Sequence, residues 1–231
     1  GWLDQPFVSK YHPGPVITIS IEPEIEFNDR SGMSSSTRAK AIDLWQSDIP
    51  EGDKEKLART LFCVENPPGT SYVSGSQDSI GIVYPGVNRL DYPSGNYWPE
   101  KISSVTDEAT LAWIEKHLWF INLSPREQGY NVLSDTIINE EGAKRLADAA
   151  AGAWQAIADQ DLTAFGNWFK KSFEAQIAMF PHMVNPYILE QISQYQSESL
   201  GWKISGAGGG GYLVLVADHP IKNAIQISIR R

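Results

Sequence analysis

Apolar and polar positions alternate through PVITISIEPE, Pro15 to Glu24, the period of two that marks a strand. Beyond a polar stretch the spacing changes to three, with Ala39, Ile42 and Trp45 in register, which predicts a helix that begins at Ser34, Ser35 and Ser36. A second helix is predicted from Asp53 to Asn66, with Leu57, Leu61 and Val64 on one face, and a third starts at Ser76. RLDYPSGNYWPEKI reads as a hairpin turning at Pro93-Ser94-Gly95. Thr106 to His117 is helical, with Thr106 as its cap, and LWFINL follows as a strand. Helices are then expected over residues 139–159, 162–178 and 186–199, and strands over 202–205, 212–217 and 224–229. Strands mixed with helices, then helices followed by antiparallel strands, describe an α+β chain with two sub-domains.

Between two of the last strands stands SGAGGGG, in which five of the six residues from Gly206 to Gly211 are glycine. Each glycine held in one conformation costs about 0.5–1 kcal/mol relative to alanine. A flexible hairpin needs only one or two such residues. The alternative is close approach, in which backbone N–H groups touch a ligand or another loop with no Cβ intervening.

The 231 residues suffice for one large domain or two small ones. Hydrophobic content of 42% and charged content of 20% are ordinary for a globular protein. The net charge of −9 argues against nucleic acid or an anionic membrane as partner. No apolar run reaches the length of a membrane span and no signal peptide is visible, while the lone Cys63 suits a reducing cytoplasm. The chain opens at Gly1 rather than Met, which reads as a trimmed front.

Two further stretches carry candidate chemistry. RSGMSSSTR places a glycine and three serines at a helix start, where backbone N–H groups favour phosphate and a hydroxyl can ligate Mg²⁺; a plain helix cap is the other reading. VENPPGTSYVSGSQDSIG holds Glu65 and Asp78 on either side of a turn-rich loop. One could hold a metal while the other accepts a proton, or both could be solvated acids.

Taken in order with GWLDQ at the start, these stretches resemble the GHMP family of small-molecule kinases, over nearly the whole chain. GWLDQ looks like the end of that family's GGxxD motif, and RSGMSSSTR resembles its phosphate-binding GLGSS motif. GWKISGAGGGGYLVLV resembles the third motif closely. GSQDSIGIVYPGVNRL and INLSPREQGYNVL are similar to segments of the branch that holds galactokinase, fucokinase and heptose-phosphate kinases. The resemblance implies an N-terminal unit (1–118) with a left-handed βαβ crossover and a ferredoxin-like C-terminal unit (119–231). It further implies an ATP- and Mg²⁺-dependent kinase acting on a sugar hydroxyl, the anomeric one, as a monomer or homodimer. By matching position, Asp78 is the catalytic base, Gly32, Ser34 and Ser35 lie at the phosphates, and Ser36 and Glu65 hold the metal. Asp4, Gln77 and Arg126 then face the substrate, and Gly206, Gly208, Gly209 and Gly210 form the third-motif loop beside the serines.

Asp78, entering a helix, is expected to be kept ionised by backbone N–H groups without a large pKa shift. Ser34 stands where the family has glycine, and Arg38 and Lys40 stand where it has small residues; both cations are assigned to the surface. The eight tryptophans are mostly core, and the four histidines lack metal-ligand spacing. Two rival readings are a GHMP kinase of a non-sugar alcohol and a catalytically silent binding relative.

Overall fold

The computed structural model describes residues 1–21, 33–46 and 48–231. Two antiparallel sheets organise them. In the first, β1 (Gly14–Ile19) pairs with β2 (Val87–Tyr92), which pairs with β3 (Lys101–Val105) through the hairpin expected around Gly95. The second contains β4 (Leu118–Asn122), β5 (Gly201–Ile204), β6 (Tyr212–Val216) and β7 (Ile225–Gln226), in the spatial order β5-β6-β4-β7. Every pairing among these strands is antiparallel, so a parallel βαβ crossover is not formed by the strands described.

YLVLV is apolar throughout because β6 is covered on both faces. Val214 and Val216 pack with Leu111 and Ile114 of α5 (Glu108–His117), with Ala153 and Ile157 of α6 (Glu140–Asp159), and with Phe165 of α7 (Leu162–Met179). Leu213 and Leu215 point the other way, onto Ile188 and Ile192 of α8 (Pro186–Tyr195). α6 also packs on β1, which ties the two sheets together.

Helix starts follow short acids and amides. Asp53 accepts from the N–H of Glu55 and Lys56 to open α3 (Lys54–Glu65), and Asn139, Asp161 and Asn185 open α6, α7 and α8 in the same way. Asp107, not Thr106, caps α5, because its carboxylate reaches Thr110 N–H at 2.9 Å. Val64 lies on the exposed side of α3, and Ala58 joins Leu61 on its buried face instead. The eighth helix ends at Tyr195 rather than Ser199, and the final strand shrinks to Ile225–Gln226 with one further bridge, Ile229 to Ile21. The remaining helices are α1 (Pro6–Ser9), α2 (Ser35–Trp45) and α4 (Gln77–Val83). Among the described residues no helix is long and apolar enough to cross a membrane.

α7 lies directly on β5, and two glycines permit it. A Cβ on Gly201 would collide with the backbone carbonyl of Gly166, and one on Gly166 would come 2.7 Å from the Leu200 side chain. Gly201→Ala therefore forces backbone from backbone, and urea unfolding should show a loss of about 1–3 kcal/mol. An unchanged midpoint would show that the helix has room to shift.

Candidate active site

A cavity of about 470 Å³ opens between the sheets, lined from eight segments that are far apart in sequence. Asp4 enters from the turn before α1. Trp2 stacks on Phe180 with ring centres 4.0 Å apart, and Leu3 is fully buried, so the turn is anchored and the Asp4 carboxylate is directed inward. It lies against Gly75, where any Cβ would strike it, so the glycine of GSQD makes room for this second acid. The next residue, Ser76, is fully buried and hydrogen-bonded to Tyr92 Oη (2.8 Å) and the Tyr97 carbonyl (2.5 Å). That anchor sets the start of α4 and presents Gln77 and Asp78 to the cavity.

Asp78 and the serines form one unit. Ser34 has φ of 60°, in the left-handed region that favours glycine, and so does Met33 before it at 58°. The Ser34 side chain does not cap α2; its hydroxyl is hydrogen-bonded to the Asp78 carboxylate. The Ser34 side chain thus takes none of the first-turn N–H groups of α2, and Ser35 and Ser36 line the cavity beside them. Gly32 lies outside the described residues. Burial raises the Asp78 pKa above the ordinary carboxylate range, opposed by the Ser34 hydrogen bond and the Arg126 charge. The helix start was expected to favour the ionised form; the net direction is upward instead, because loss of water outweighs it.

Glu65, the last residue of α3, is set by a residue that the sequence pattern did not single out. Thr37 is fully buried and donates to Glu65 Oε1 at 2.6 Å, while Oε2 is buried with no partner. Burial pushes Glu65 up to about 7, against the Thr37 hydrogen bond, and burial likewise pushes Asp4 up to about 6. A buried carboxylate oxygen without a donor fits a cation, and Ser36 supplies a hydroxyl from the adjoining helix. Lys40 is on the surface as expected, but Arg38 lines the cavity.

The glycine run is explained by conformation and by contact with a different loop from the one expected. Gly206, Gly208, Gly209, Gly210 and Gly211 all have positive φ, from 64° to 154°. A Cβ on Gly208 would meet the Met183 carbonyl at 2.6 Å, one on Gly209 would strike Tyr130, and one on Gly210 would strike the Ser124 carbonyl. The run therefore packs on the segment after β4 rather than beside the serines, and only Gly206 of the four predicted glycines lines the cavity. Arg126 Nε donates to the Gly208 carbonyl (2.8 Å) and Tyr130 Oη to the Ala207 carbonyl (2.9 Å), so the loop also holds Arg126 at the cavity wall.

One observation ties these parts together. Among the described residues, five buried side-chain oxygens have no hydrogen-bond partner: those of Gln5, Thr18, Glu65, Gln176 and Ser205. All five residues line this cavity. Buried polar groups are almost always paired, so their concentration here marks a site built for a polar ligand.

No family model matches the chain. The chain is 23% identical over 195 residues to a bifunctional fucokinase/GDP-fucose pyrophosphorylase of Arabidopsis thaliana, a match that covers 80% of this chain and 18% of that protein. The chain thus spans under a fifth of that relative's length. Among solved structures, a D-glycero-D-manno-heptose 1-phosphate kinase from Bacteroides thetaiotaomicron superposes with a TM-score of 0.59 at 12% identity, over all of this chain and 92% of that one. A mevalonate kinase from Methanococcus jannaschii superposes with a TM-score of 0.51 at 17% identity, over 83% of this chain and 58% of that one. The chain has the GHMP-kinase fold. Within that fold three of the five stretches that carried the resemblance, GWLDQ, the serines and GSQD, meet at one cavity.

The raised acids give the GHMP-fold protein a pH signature. A carboxyl whose folded pKa exceeds its unfolded value binds more protons when folded, so its contribution is full below the unfolded pKa and is lost as pH rises through the folded one. For Glu65 that window runs from the ordinary range near 4.5 to about 7. Glu65→Gln removes the titration. In metal-free buffer the melting temperature of Glu65→Gln relative to the unmutated protein should therefore climb between pH 5 and 7.5. A difference that stays flat would mean that Glu65 is well solvated.

Proposed function

We propose that the chain is an ATP-dependent kinase that transfers the γ-phosphoryl group to a hydroxyl of a sugar or sugar phosphate, the anomeric hydroxyl being the candidate acceptor. The observation that carries this reading is Asp78 in the cavity, hydrogen-bonded by Ser34 at the open start of α2. That geometry sets a proton acceptor beside a row of backbone N–H groups suited to phosphate. The names of the similar proteins support it: fucokinase, heptose 1-phosphate kinase and mevalonate kinase.

In this reading residues 1–118 provide the phosphate and proton-transfer groups and residues 119–231 close the site. The first turn of α2, with Ser35 and Ser36, takes the phosphates of ATP. Glu65, oriented by Thr37, and Ser36 would hold Mg²⁺, which when bound neutralises the charge of the transferring phosphates. Asp4 and Gln77 orient the acceptor hydroxyls, and Arg126, a charge that acts on Asp78 in the same cavity, is on the substrate side. The acceptor O–H gives its proton to Asp78 as its oxygen bonds to the γ-phosphorus and the bond to the ATP bridging oxygen breaks. A raised pKa makes Asp78 a stronger base than a surface carboxylate, and the Ser34 hydrogen bond limits that rise.

Asp78→Asn keeps shape and hydrogen bonding but removes the acceptor. ADP release should fall about 10²–10⁴-fold while calorimetry still detects both ligands. In the unmutated protein the acid limb of kcat/KM should lie above the ordinary carboxylate range, because the free enzyme's base has a raised pKa. Turnover that survives in Asp78→Asn would assign the base elsewhere. A sugar that binds without any ADP release from the unmutated protein would favour a silent binding relative.

A further inference from the structure

Asp78 acts from the first turn of a very short helix, and a short helix does not hold its own direction. Isolated helices below about 12–15 residues are marginal in water, so the seven residues of α4 stay in place through what grips their two ends. Ser76 fixes the first end. The grip on the second end comes from residues far away in sequence.

The last carbonyls of a helix have no partner within it. In α4 the Ile80 carbonyl is taken by the Tyr84 N–H (2.8 Å), and the next two are met by side chains. The Ser20 hydroxyl, just past β1, reaches the carbonyls of Gly81 (2.5 Å) and Tyr84. Arg230 Nη2 donates to the carbonyl of Ile82. Gly81 and Ile82 both line the cavity, and Ile82 is buried.

The backbone of Arg230 is held as firmly as its side chain. Its N–H donates to the Ser20 carbonyl (2.8 Å), its carbonyl accepts from the Gly86 N–H (2.8 Å), and the Ser20 N–H donates to the Gly86 carbonyl (3.0 Å). One residue thus joins the end of β1, the connection from α4 to β2, and the last turn of α4. Ile227 and Ile229 are buried in the core with Leu111 and Ile114, so the alternation of an extended chain turns Arg230 the other way, onto α4. The segment is also fastened to α5: the Ile229 N–H donates to Glu115 (2.6 Å), and Arg231 pairs with Glu108 (2.8 Å) and Glu115 (3.1 Å).

The path from Arg230 to the reacting atoms is short. Ile82 lies one turn beyond Asp78, about 6 Å along the axis, and in the helical pattern its N–H is bonded to the carbonyl of Asp78 itself. A tilt of the last turn is therefore carried to the Asp78 carboxylate and to its hydrogen bond with Ser34. Removal of the guanidinium would leave a buried carbonyl unmatched at the point where that tilt begins.

We propose that Arg230 is a positioning residue of the candidate site: by gripping the last turn of α4 it fixes where the Asp78 carboxylate stands against Ser34 and the acceptor. Its effect on turnover rests on the kinase reading above; the seating of α4 does not.

The test compares the unmutated protein with Arg230→Met, Arg230→Lys and Arg231→Met, with Mg-ATP and whichever sugar or sugar phosphate gives the fastest ADP release. Arg231 fastens the same segment to α5 rather than to α4, so its variant reports a loosened segment alone. Assays are run at a temperature where circular dichroism shows each variant folded. In Arg230→Met kcat should fall about 10- to 100-fold, since a misplacement on the order of 1 Å can cost about 10²-fold. The ATP KM should hold because α2 is untouched, and Arg230→Lys should recover part of kcat. Arg231→Met should turn over like the unmutated protein, because exposed ion pairs contribute little. Should Arg230→Met not fold, Arg230→Lys decides: a lower kcat at constant ATP KM upholds the role, and an equal kcat overturns it. A kcat in Arg230→Met that is unchanged, or that falls no further than in Arg231→Met, overturns the role and leaves the kinase reading standing. If no acceptor releases ADP, the kinase reading fails, and amide hydrogen exchange decides the seating of α4 alone. Faster exchange at Ile80 to Val83 in Arg230→Met, with the rates in α3 unchanged, upholds it. Exchange that is unchanged, or quickened equally in both helices, overturns it.

Discussion

Asp4, Glu65 and Asp78 are carboxyl groups drawn out of bulk water into one cavity, and the surrounding structure is arranged around the cost of holding them there. An isolated buried carboxylate is expensive enough that it protonates or recruits partners. Each acid is accommodated in a different way. Glu65 receives the Thr37 hydroxyl, Asp78 receives the Ser34 hydroxyl and the field of Arg126, and Asp4 fits only because residue 75 is glycine. The compensation is incomplete: Glu65 keeps an unpartnered oxygen, and Thr18, Gln5, Gln176 and Ser205 repeat the pattern around the same cavity. A bound polar ligand and its counter-ion are the natural completion, which links the stability of the fold to occupancy of the site.

The same constraint explains the backbone. Met33 and Ser34 adopt left-handed conformations that cost non-glycine residues free energy, of order 1–3 kcal/mol each in strained cases. In return the Ser34 hydroxyl reaches Asp78 instead of capping the first turn of α2. On the other side five glycines with positive φ fold the β5–β6 connection tightly onto Ser124, Tyr130 and Met183, and the connection holds Arg126 in place. Two loops with special backbone conformations therefore set two of the groups that act on Asp78, the Ser34 hydroxyl and the Arg126 charge.

Much of this was legible in the sequence, because local chemistry fixes it. Helix periodicity and capping located α3, α6 and α7 to within a residue or two, and GSQD stood out by its resemblance to a kinase-family segment. Contacts made through space were not legible. Thr37 is an ordinary helix residue until α3 brings Glu65 beside it, and Arg230 reads as a surface cation until the fold lays it against the end of α4. Strand alternation was the one available hint, since Ile227 and Ile229 share a face that Arg230 does not. The upward direction of the Asp78 shift was missed for the same reason: the helix start is a local feature, and the burial that outweighs it is supplied by distant segments. The glycine run was rightly flagged as a close approach, but its partner, the Ser124–Tyr130 segment, could only be seen once the chain was folded.

The central claim is that this cavity moves a phosphoryl group from ATP to a sugar hydroxyl. Phosphorus NMR of the unmutated protein with Mg-ATP and a panel of sugars and sugar phosphates reads that event directly. The account predicts that, with one acceptor, a new sugar phosphomonoester resonance grows in step with the ADP resonances, with no matching rise of inorganic phosphate. ATP that stays intact with every acceptor, or that yields only ADP and inorganic phosphate, would contradict it.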